Sequence, residues 1–288
     1  MSSMRYTIKD LKADFPDDET CLQFLFDRRY GDLKTCPKCG TVGSKFYRVK
    51  TRMSFKCASC RQQIYPLVGT IFEKSTTPLT DWFHALFLFS VSKNGVSALE
   101  LERQIGVSYK TAHRIEKMIR QLMMEHGKLG FLGTPVEMDE AYIKGRGKHK
   151  NYHDNSTPVL AALEVGGEVR IQVVERANSA TALPFMEKYI DPGTMLHTDE
   201  SKIYKHLKVT QIYRHDSVRH IGHEFVRDGV TTNHVEGFFG QLKRSLDGTY
   251  HAVSPYYLGS YVSEFAYRYN HRRELIFPLL MAKAVQPA

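Results

Sequence analysis

The sequence lacks the features that mark membrane, secreted or repetitive proteins. Its 288 residues contain no apolar run near the roughly 20 residues that a transmembrane helix needs. It shows neither an internal repeat nor a low-complexity stretch. Its first residues, MSSMRYTIKDLKADF, lack the apolar core of a secretion signal. These absences predict a cytoplasmic globular protein, and the length is enough for about two ordinary domains.

Acidic residues are outnumbered by basic ones. Forty Lys and Arg against 31 Asp and Glu give a formal net charge of +9 at pH 7 and a pI near 9.2. Such an excess favours a polyanionic partner such as nucleic acid. Many basic proteins bind no nucleic acid, however, so charge alone leaves the partner open.

Cysteine is scarce, and four of the five cysteines form two close pairs. Cys36-Pro-Lys-Cys39 and Cys57-Ala-Ser-Cys60 make a C-x2-C-x17-C-x2-C pattern around a predicted hairpin. Disulfides are rare in the cytoplasm, so metal binding is the better explanation. Four thiolates at this spacing predict a structural Zn²⁺ site in a zinc ribbon, and the alternative is chance spacing of structural cysteines. Cys21 lies in an apolar helical segment and is expected to be inert core.

A helix-turn-helix pattern follows the ribbon. The segments SALELERQIG and SYKTAHRIEKMIRQLM are predicted helices that meet at Gly106 and Val107. With Ser108 as N-cap, the first turns of the second helix would carry side chains that contact bases and phosphates. The candidates for these DNA contacts are Tyr109, Lys110, Thr111, His113 and Arg114. A plain helical hairpin is the alternative.

The pattern changes after the Gly-rich segment 127–135, which we interpret as a domain boundary. Beyond it we predict three strands, a helix, a strand, a helix, a strand and two long helices, which indicates a mixed sheet with helices on its faces. The fold class is therefore predicted as α+β multidomain. Its predicted parts are N-terminal helices and a zinc ribbon (1–70), a helical helix-turn-helix region (71–130) and a mixed-sheet α/β catalytic domain (131–288).

Three carboxylates occur where they could share divalent cations. Asp139 lies within the first predicted strand, Asp199 ends the fourth, and Glu236 lies on the helix 233–246. Mg²⁺ binds carboxylate and phosphate oxygens, and two such cations about 4 Å apart can activate an attacking oxygen and stabilise a leaving one. The alternative is that these residues are ordinary surface acids, since acidic residues at strand ends are often exposed to solvent without a catalytic role. The nearby competing acids are Glu137, Glu140 and Glu200.

The motifs VEMDEAYI, HTDES and TTNHVEGFFGQLKR resemble those of DDE insertion-sequence transposases of the ISXO2-like type, whose chains begin with a zinc ribbon. The resemblance runs from the ribbon to about Arg272. It implies that Asp139, Asp199 and Glu236 form the acidic triad and that Lys243 is the basic residue two helical turns later. It also implies an RNase H-like fold, Mg²⁺ or Mn²⁺, and recognition of terminal inverted repeats. Some relatives carry Asn as the third group, and Asn233 lies three residues before Glu236, so the third ligand stays open.

A basic, Gly-containing loop follows the first predicted strand of the catalytic region. It is predicted to contact DNA phosphates beside the cations, with a solvated loop as the alternative. Its cations are Lys144, Arg146, Lys148 and Lys150. Further candidates for phosphate contact or proton donation are His215, His220 and His223, with a surface histidine cluster as the alternative. Arg268 and Arg272 are candidates for DNA contact.

Together these patterns predict a transposase of a mobile insertion element. The ribbon and helix-turn-helix would bind the element ends, and the catalytic domain would cleave DNA and join it to a target by in-line displacement at phosphorus. The predicted partners are double-stranded DNA, at the element ends and the target, and further copies of the chain in a synaptic complex. No membrane partner is expected, and the predicted location is the cytoplasm, on the nucleoid. The alternatives are a catalytically silent, transposase-derived DNA-binding regulator and a structure-specific nuclease.

Overall fold

The computed structural model describes residues 5–130, 133–145, 156–204, 212–218 and 230–286. The chain divides into two compact units, which we call the ribbon unit and the sheet unit. The ribbon unit holds 1–92, 98–122 and 274–288, and the sheet unit holds 93–97 and 123–273. In the described part of the chain, no helix has both the length and the apolar content to span a bilayer.

The ribbon unit begins with helices α1 (Ile8–Asp14) and α2 (Asp18–Tyr30). The N-cap of α2 is Asp17, whose carboxylate accepts the backbone N–H of Thr20 at 2.8 Å. Cys21 on this helix is fully buried, and burial raises the pKa of its thiol to about 12. A thiol in that environment is unreactive, as expected for core cysteine.

The ribbon is a three-stranded antiparallel sheet of β1 (Phe46–Val49), β2 (Ser54–Cys57) and β3 (Gln63–Ile64). The hairpin β1–β2 is the one predicted between the cysteine pairs. The sequence does not predict β3, because a strand of two residues is too short to show an alternation of apolar and polar residues. Phe55 of β2 stacks on Phe26 of α2 with ring centroids 4.0 Å apart, which fixes the ribbon to the helices.

Helices α3 (Leu79–Val91), α4 (Ala98–Ile105) and α5 (Tyr109–Leu122) complete most of this unit. The turn between α4 and α5 contains Gly106 at φ 70°, the left-handed region that glycine enters without strain. The C-terminal helix α9 (Ile276–Ala284) also packs here against α3, and Tyr6 stacks on its Phe277 at 4.8 Å. Residues 274–288 therefore group with the ribbon unit, whereas the predicted catalytic domain 131–288 had included them.

The sheet unit contains a five-stranded mixed sheet, as predicted. Its strands are β4 (Val136–Lys144), β5 (Ser156–Glu164), β6 (Val169–Val173), β7 (Met195–Asp199) and β8 (Arg214–Val218). They lie in the order β6-β5-β4-β7-β8, with β4, β5 and β6 antiparallel and β7 and β8 parallel to β4. Numbered within the sheet this order is 3-2-1-4-5, the arrangement of an RNase H-like sheet.

Helices cover both faces of this sheet. Helix α6 (Ser179–Tyr189) packs on one face, and α7 (Asn233–Ser245) and α8 (Pro255–Asn270) pack on the other. Side chains of a strand alternate between faces, and in β4 Met138 packs with the α6 core while Ala141 packs with the α7 core. Residues 137 and 139 therefore face α7, and residue 140 faces α6.

Candidate active site

Asp139 and Asp199 lie at the same level on adjacent parallel strands. The register pairs Glu137 of β4 with His197 of β7, and each aspartate follows two residues later on its own strand. A step of two residues returns to the same face, so both carboxylates start from the α7 side of the sheet. Both residues are half-buried, which leaves them accessible to a substrate.

The electrostatics of Asp139 reflect this concentration of acids. Its pKa is raised to about 7, chiefly because burial disfavours the charged carboxylate, and the negative charges of Glu140, Asp199 and Glu236 raise it further. Asp199 is partly compensated, because one of its oxygens accepts the backbone N–H of Ser201 at 3.0 Å. A cation placed among these carboxylates would relieve the repulsion.

Glu140, one of the competing acids, is engaged on the other face. The hydroxyl of the buried Tyr204 donates to its Oε2 at 3.0 Å. Burial raises the pKa of Glu140, with the charge of Asp199 adding to the effect. Tyr204 ends the 3-10 turn Lys202–Tyr204, where the sequence analysis had predicted the start of a helix.

Glu236 lies in the first turn of α7 with its side chain exposed. The hydroxyl of Thr232 donates to its Oε1 at 2.9 Å. Asn233 is also exposed, and its backbone N–H donates to the Thr231 hydroxyl at 3.1 Å. Lys243 is exposed seven residues after Glu236, close to two turns of helix, so the two lie on the same side of α7.

The N-terminus of α7 is capped by a side chain from β4. The N-cap residue Thr232 makes no side-chain capping bond of its own. Instead the fully buried Glu137 accepts the backbone N–H groups of His234 at 2.8 Å and Val235 at 3.0 Å. Its second oxygen lies 2.7 Å from Nδ1 of His234. From the sequence, Glu137 is predicted only as a competing acid. Its position in an apolar strand is the one signal in the sequence that indicates a buried role.

Two histidines lie on the strands beside the aspartates. His197 is buried opposite Glu137, and burial lowers its pKa while the charges of Glu137 and Asp216 oppose that effect. His215 lies on β8 with Nε2 2.9 Å from the Thr198 hydroxyl. Five other predicted site residues, Arg146, Lys148, Lys150, His220 and His223, lie outside the described residues.

The four ribbon cysteines meet at one point. Their Sγ atoms all lie within 4.8 Å of one another, and Sγ of Cys36 is 3.7 Å from Sγ of Cys60. A tetrahedron of Zn–S bonds of about 2.3 Å has S–S edges of about 3.8 Å, so the site fits Zn²⁺. The pKa of Cys57 is lowered to about 6 by hydrogen bonds from the backbone of Cys60 and then from the Ser44 hydroxyl, which favours the thiolate.

Two family models match these two regions. The model described as ISXO2-like transposase domain matches residues 131–270, and the transposase zinc-ribbon domain matches residues 16–63. The chain contains an ISXO2-like transposase domain together with a transposase zinc-ribbon domain. The recognised family is therefore confirmed, as is the zinc ribbon that opens this transposase.

A relative and a solved structure were also found. The "Uncharacterized protein in transposable element ISH50" of Halobacterium salinarum is 24% identical over 276 residues, which cover 88% of the transposase and 91% of that protein. The catalytic core domain of BIV integrase is 14% identical, with a TM-score of 0.31 over 46% of this chain and 79% of that one. The structural likeness is too low to carry any argument.

The acid site of the transposase differs from the cysteine site in compactness. Among the described residues, the four cysteines are the only group of three or more His, Cys, Asp or Glu side chains whose ligand atoms lie close enough to hold one metal ion. Asp139, Asp199 and Glu236 interact electrostatically without forming so tight a group. Their carboxylate oxygens are the ligands that Mg²⁺ and Mn²⁺ prefer, so their chemistry fits these cations.

The predicted DNA-contact helix of the transposase presents an exposed basic face. Tyr109, Lys110 and Arg114 at the start of α5 are exposed, whereas Ala112 and Ile115 are buried. Ser108 Oγ accepts the Thr111 N–H at 3.4 Å, so the predicted cap is present but long. His113 is half-exposed, 3.8 Å from the buried Glu116. On the sheet unit, Lys144 is exposed at the end of β4.

Proposed function

We propose that this transposase binds the terminal inverted repeats of its insertion element and catalyses metal-dependent cleavage and strand transfer of DNA. One observation carries the proposal. Asp139 and Asp199 lie level on adjacent parallel strands, and Glu236 on α7 lies close enough to raise the pKa of Asp139. Three acids near enough to interact electrostatically in a transposase domain favour phosphodiester chemistry over a structural role.

Asp139, Asp199 and Glu236 would hold Mg²⁺ or Mn²⁺. Such cations supply Lewis-acid stabilisation of the charge that develops on the phosphate oxygens during in-line displacement. The residues of the chain position the reaction. Glu137 fixes the start of α7 and so the place of Glu236, while the exposed Lys243 offers a positive charge to a DNA phosphate on the same helix side.

Glu236 is the better third ligand than Asn233. Its charge interacts with Asp139, and an anion neutralises a divalent cation where an amide oxygen offers only a neutral dipole. Asn233 lies one turn earlier on α7, where it suits the orientation of a water or a phosphate oxygen.

DNA recognition would be shared between the two units. The exposed start of α5, with Tyr109, Lys110 and Arg114, is suited to contacts with the element ends. The zinc ribbon would assist in binding, and the loop that begins at Lys144 would contact phosphates near the acids. Joining two element ends requires at least two protomers in one complex, which would form on the nucleoid in the cytoplasm.

The proposal is tested with duplex DNA from the two flanks of the encoding gene, incubated with the protein and Mg²⁺ or Mn²⁺. We expect metal-dependent products with a 3′-OH at the element end, which then become joined to a target plasmid. A silent DNA-binding regulator would bind the same duplex and yield no product. A structure-specific nuclease would cut branched DNA of unrelated sequence equally well.

A further inference from the structure

The sheet unit has a cleft of about 640 Å³ on the side covered by α7 and α8. Residues of α7, α8 and the segment 93–97 contribute to it, and its described lining includes no acidic side chain. Its basic lining residues are Lys93, Arg244, Arg268 and Arg272. The rings of Phe238 and Tyr269 also line it. Cations next to aromatic rings are the surface chemistry that suits a nucleic-acid strand.

Among the described residues, three of these four cations have no acidic partner. Arg268 is buried, and its guanidinium donates to Glu264 at 2.6 Å, so its charge is neutralised. Lys93 and Arg244 are exposed, and no ion pair with a described residue involves either of them. The cleft therefore holds uncompensated positive charge, which attracts an anion.

Arg272 is held in a fixed position at this cleft. Its guanidinium lies 4.2 Å from the ring centroid of Tyr269 and donates to the backbone carbonyls of Tyr269 at 2.6 Å and Gly167 at 3.3 Å. These contacts leave its charge uncompensated while they restrict its motion. A pre-positioned guanidinium loses less entropy when it binds a phosphate.

The cleft lies a defined distance from the acids along α7. Glu236 is in the first turn of this helix and Arg244 in its last. Eight residues at about 1.5 Å each separate them by about 12 Å along the axis. Eight residues also turn the helix about 80° beyond two full turns, so Arg244 points to a different side of α7 from Glu236 and Lys243.

We propose that this cleft binds backbone phosphates of the DNA away from the phosphate that is cleaved, at least about 12 Å from the acids by the spacing along α7. The inference rests on the proposed function of the acids, since they define the point of cleavage. The cations would contact phosphates and not base edges, so the cleft would position the strand without reading its sequence.

The first test removes two charges from the cleft with the double variant Lys93→Gln and Arg244→Gln. Both side chains are exposed and neither forms an ion pair within the described part of the chain, so the fold should persist. Each lost phosphate contact lowers the slope of log K against log salt by about 0.9, so the slope should fall by about 1.8. Wild type should then lose about twelvefold more affinity than the variant between about 50 and 200 mM salt. Fluorescence anisotropy with an element-end duplex measures this.

A matched control removes two charges from the opposite side of the sheet. Arg176 is exposed in the segment before α6, and Lys188 is exposed on α6 itself. The double variant Arg176→Gln and Lys188→Gln should keep the wild-type slope. If it flattens the slope as much as the cleft variant does, the effect is one of net charge and the proposal is wrong.

The second test locates the contact by replacing single phosphates with neutral methylphosphonates. In wild type, substitutions at the phosphates that the cleft contacts should weaken binding at a few positions away from the cleaved phosphate. The cleft variant should show no further loss there and full sensitivity elsewhere. Equal sensitivity of both proteins at every position would overturn the proposal.

These readouts concern binding alone, so they separate the two proposals. A wild type that binds with the expected phosphate map but never cleaves would overturn the catalytic proposal and leave the contact in place. A wild type that cleaves with Mn²⁺ while the cleft variant binds unchanged would overturn the cleft assignment alone.

Discussion

The buried carboxylate of Glu137 lies 2.7 Å from Nδ1 of His234 and joins the first strand of the sheet to the start of α7. Glu137 is two residues before Asp139, and His234 is two residues before Glu236. Two of the candidate metal ligands are therefore positioned by the same contact. The position of Glu236 depends on a buried carboxylate from a strand as well as on its own helix.

The first prediction concerns this contact. Glu137→Ala removes a helix cap, a loss of about 0.5–2 kcal/mol, and leaves backbone N–H groups of α7 unpaired. We expect a lower melting temperature and a loss of cleavage larger than the loss of DNA binding. Glu137→Gln keeps one carbonyl acceptor and should recover most of the stability. Wild-type cleavage by Glu137→Ala would show that Glu236 needs no such positioning.

The second prediction concerns the ribbon. One Zn²⁺ per chain should bind the four cysteines, and its binding should stabilise the ribbon. Cys57→Ser should lower the zinc content measured by atomic absorption and weaken DNA binding, while the sheet unit still melts cooperatively. Cys21→Ser serves as the matched control for zinc, because Cys21 is buried away from the cluster. Stoichiometric zinc in a quadruple Cys→Ser variant would contradict the assignment.

The third prediction separates sequence recognition from phosphate contact. Lys110→Gln and Arg114→Gln should reduce the preference for element ends over random DNA. Neutralising the loop cations should instead weaken binding to all DNA alike and flatten its salt dependence. Those loop cations are Lys144, Arg146, Lys148 and Lys150. If all six substitutions act equally on specific and random duplexes, α5 is not a recognition helix.

The fourth prediction concerns the third metal ligand. Glu236→Gln removes a charge that acts on Asp139 and should nearly abolish cleavage. Asn233→Ala removes only a neutral amide and should leave reduced but measurable activity. Cleavage rates of the two variants at saturating Mn²⁺ decide the point. The opposite ranking would assign the ligand role to Asn233.

Much of the sheet unit could be predicted because its strands and helices have clear periods. The positions of Asp139, Asp199 and Glu236 on two strands and a helix follow from local patterns. The register that places Asp139 and Asp199 at the same level could not be predicted, because parallel strand pairing joins distant segments and has no local sequence signal. The cap by Glu137 depends on that same non-local packing.

Other features depended on partners that a sequence does not reveal. Arg268 looked like a DNA-contact candidate, but an ion pair with Glu264 neutralises it inside the unit. Helix α9 was assigned to the catalytic domain by sequence order, and its apolar side packs against α3 instead. In both cases the charge or apolar character was evident from the sequence, while the packing partner was not.

The central claim is that the carboxylates perform the chemistry and do not hold the DNA. Asp139→Asn keeps the size of the side chain and removes its charge. If Asp139 helps to hold cations that stabilise the transition state by several kcal/mol, cleavage should fall by about a thousandfold or more, since each 1.4 kcal/mol or so is tenfold in rate. The direct measurement is Mn²⁺-dependent cleavage of an element-end duplex by wild type and Asp139→Asn, with DNA affinity measured in parallel. We predict lost cleavage with retained binding, and wild-type cleavage by Asp139→Asn would contradict the account.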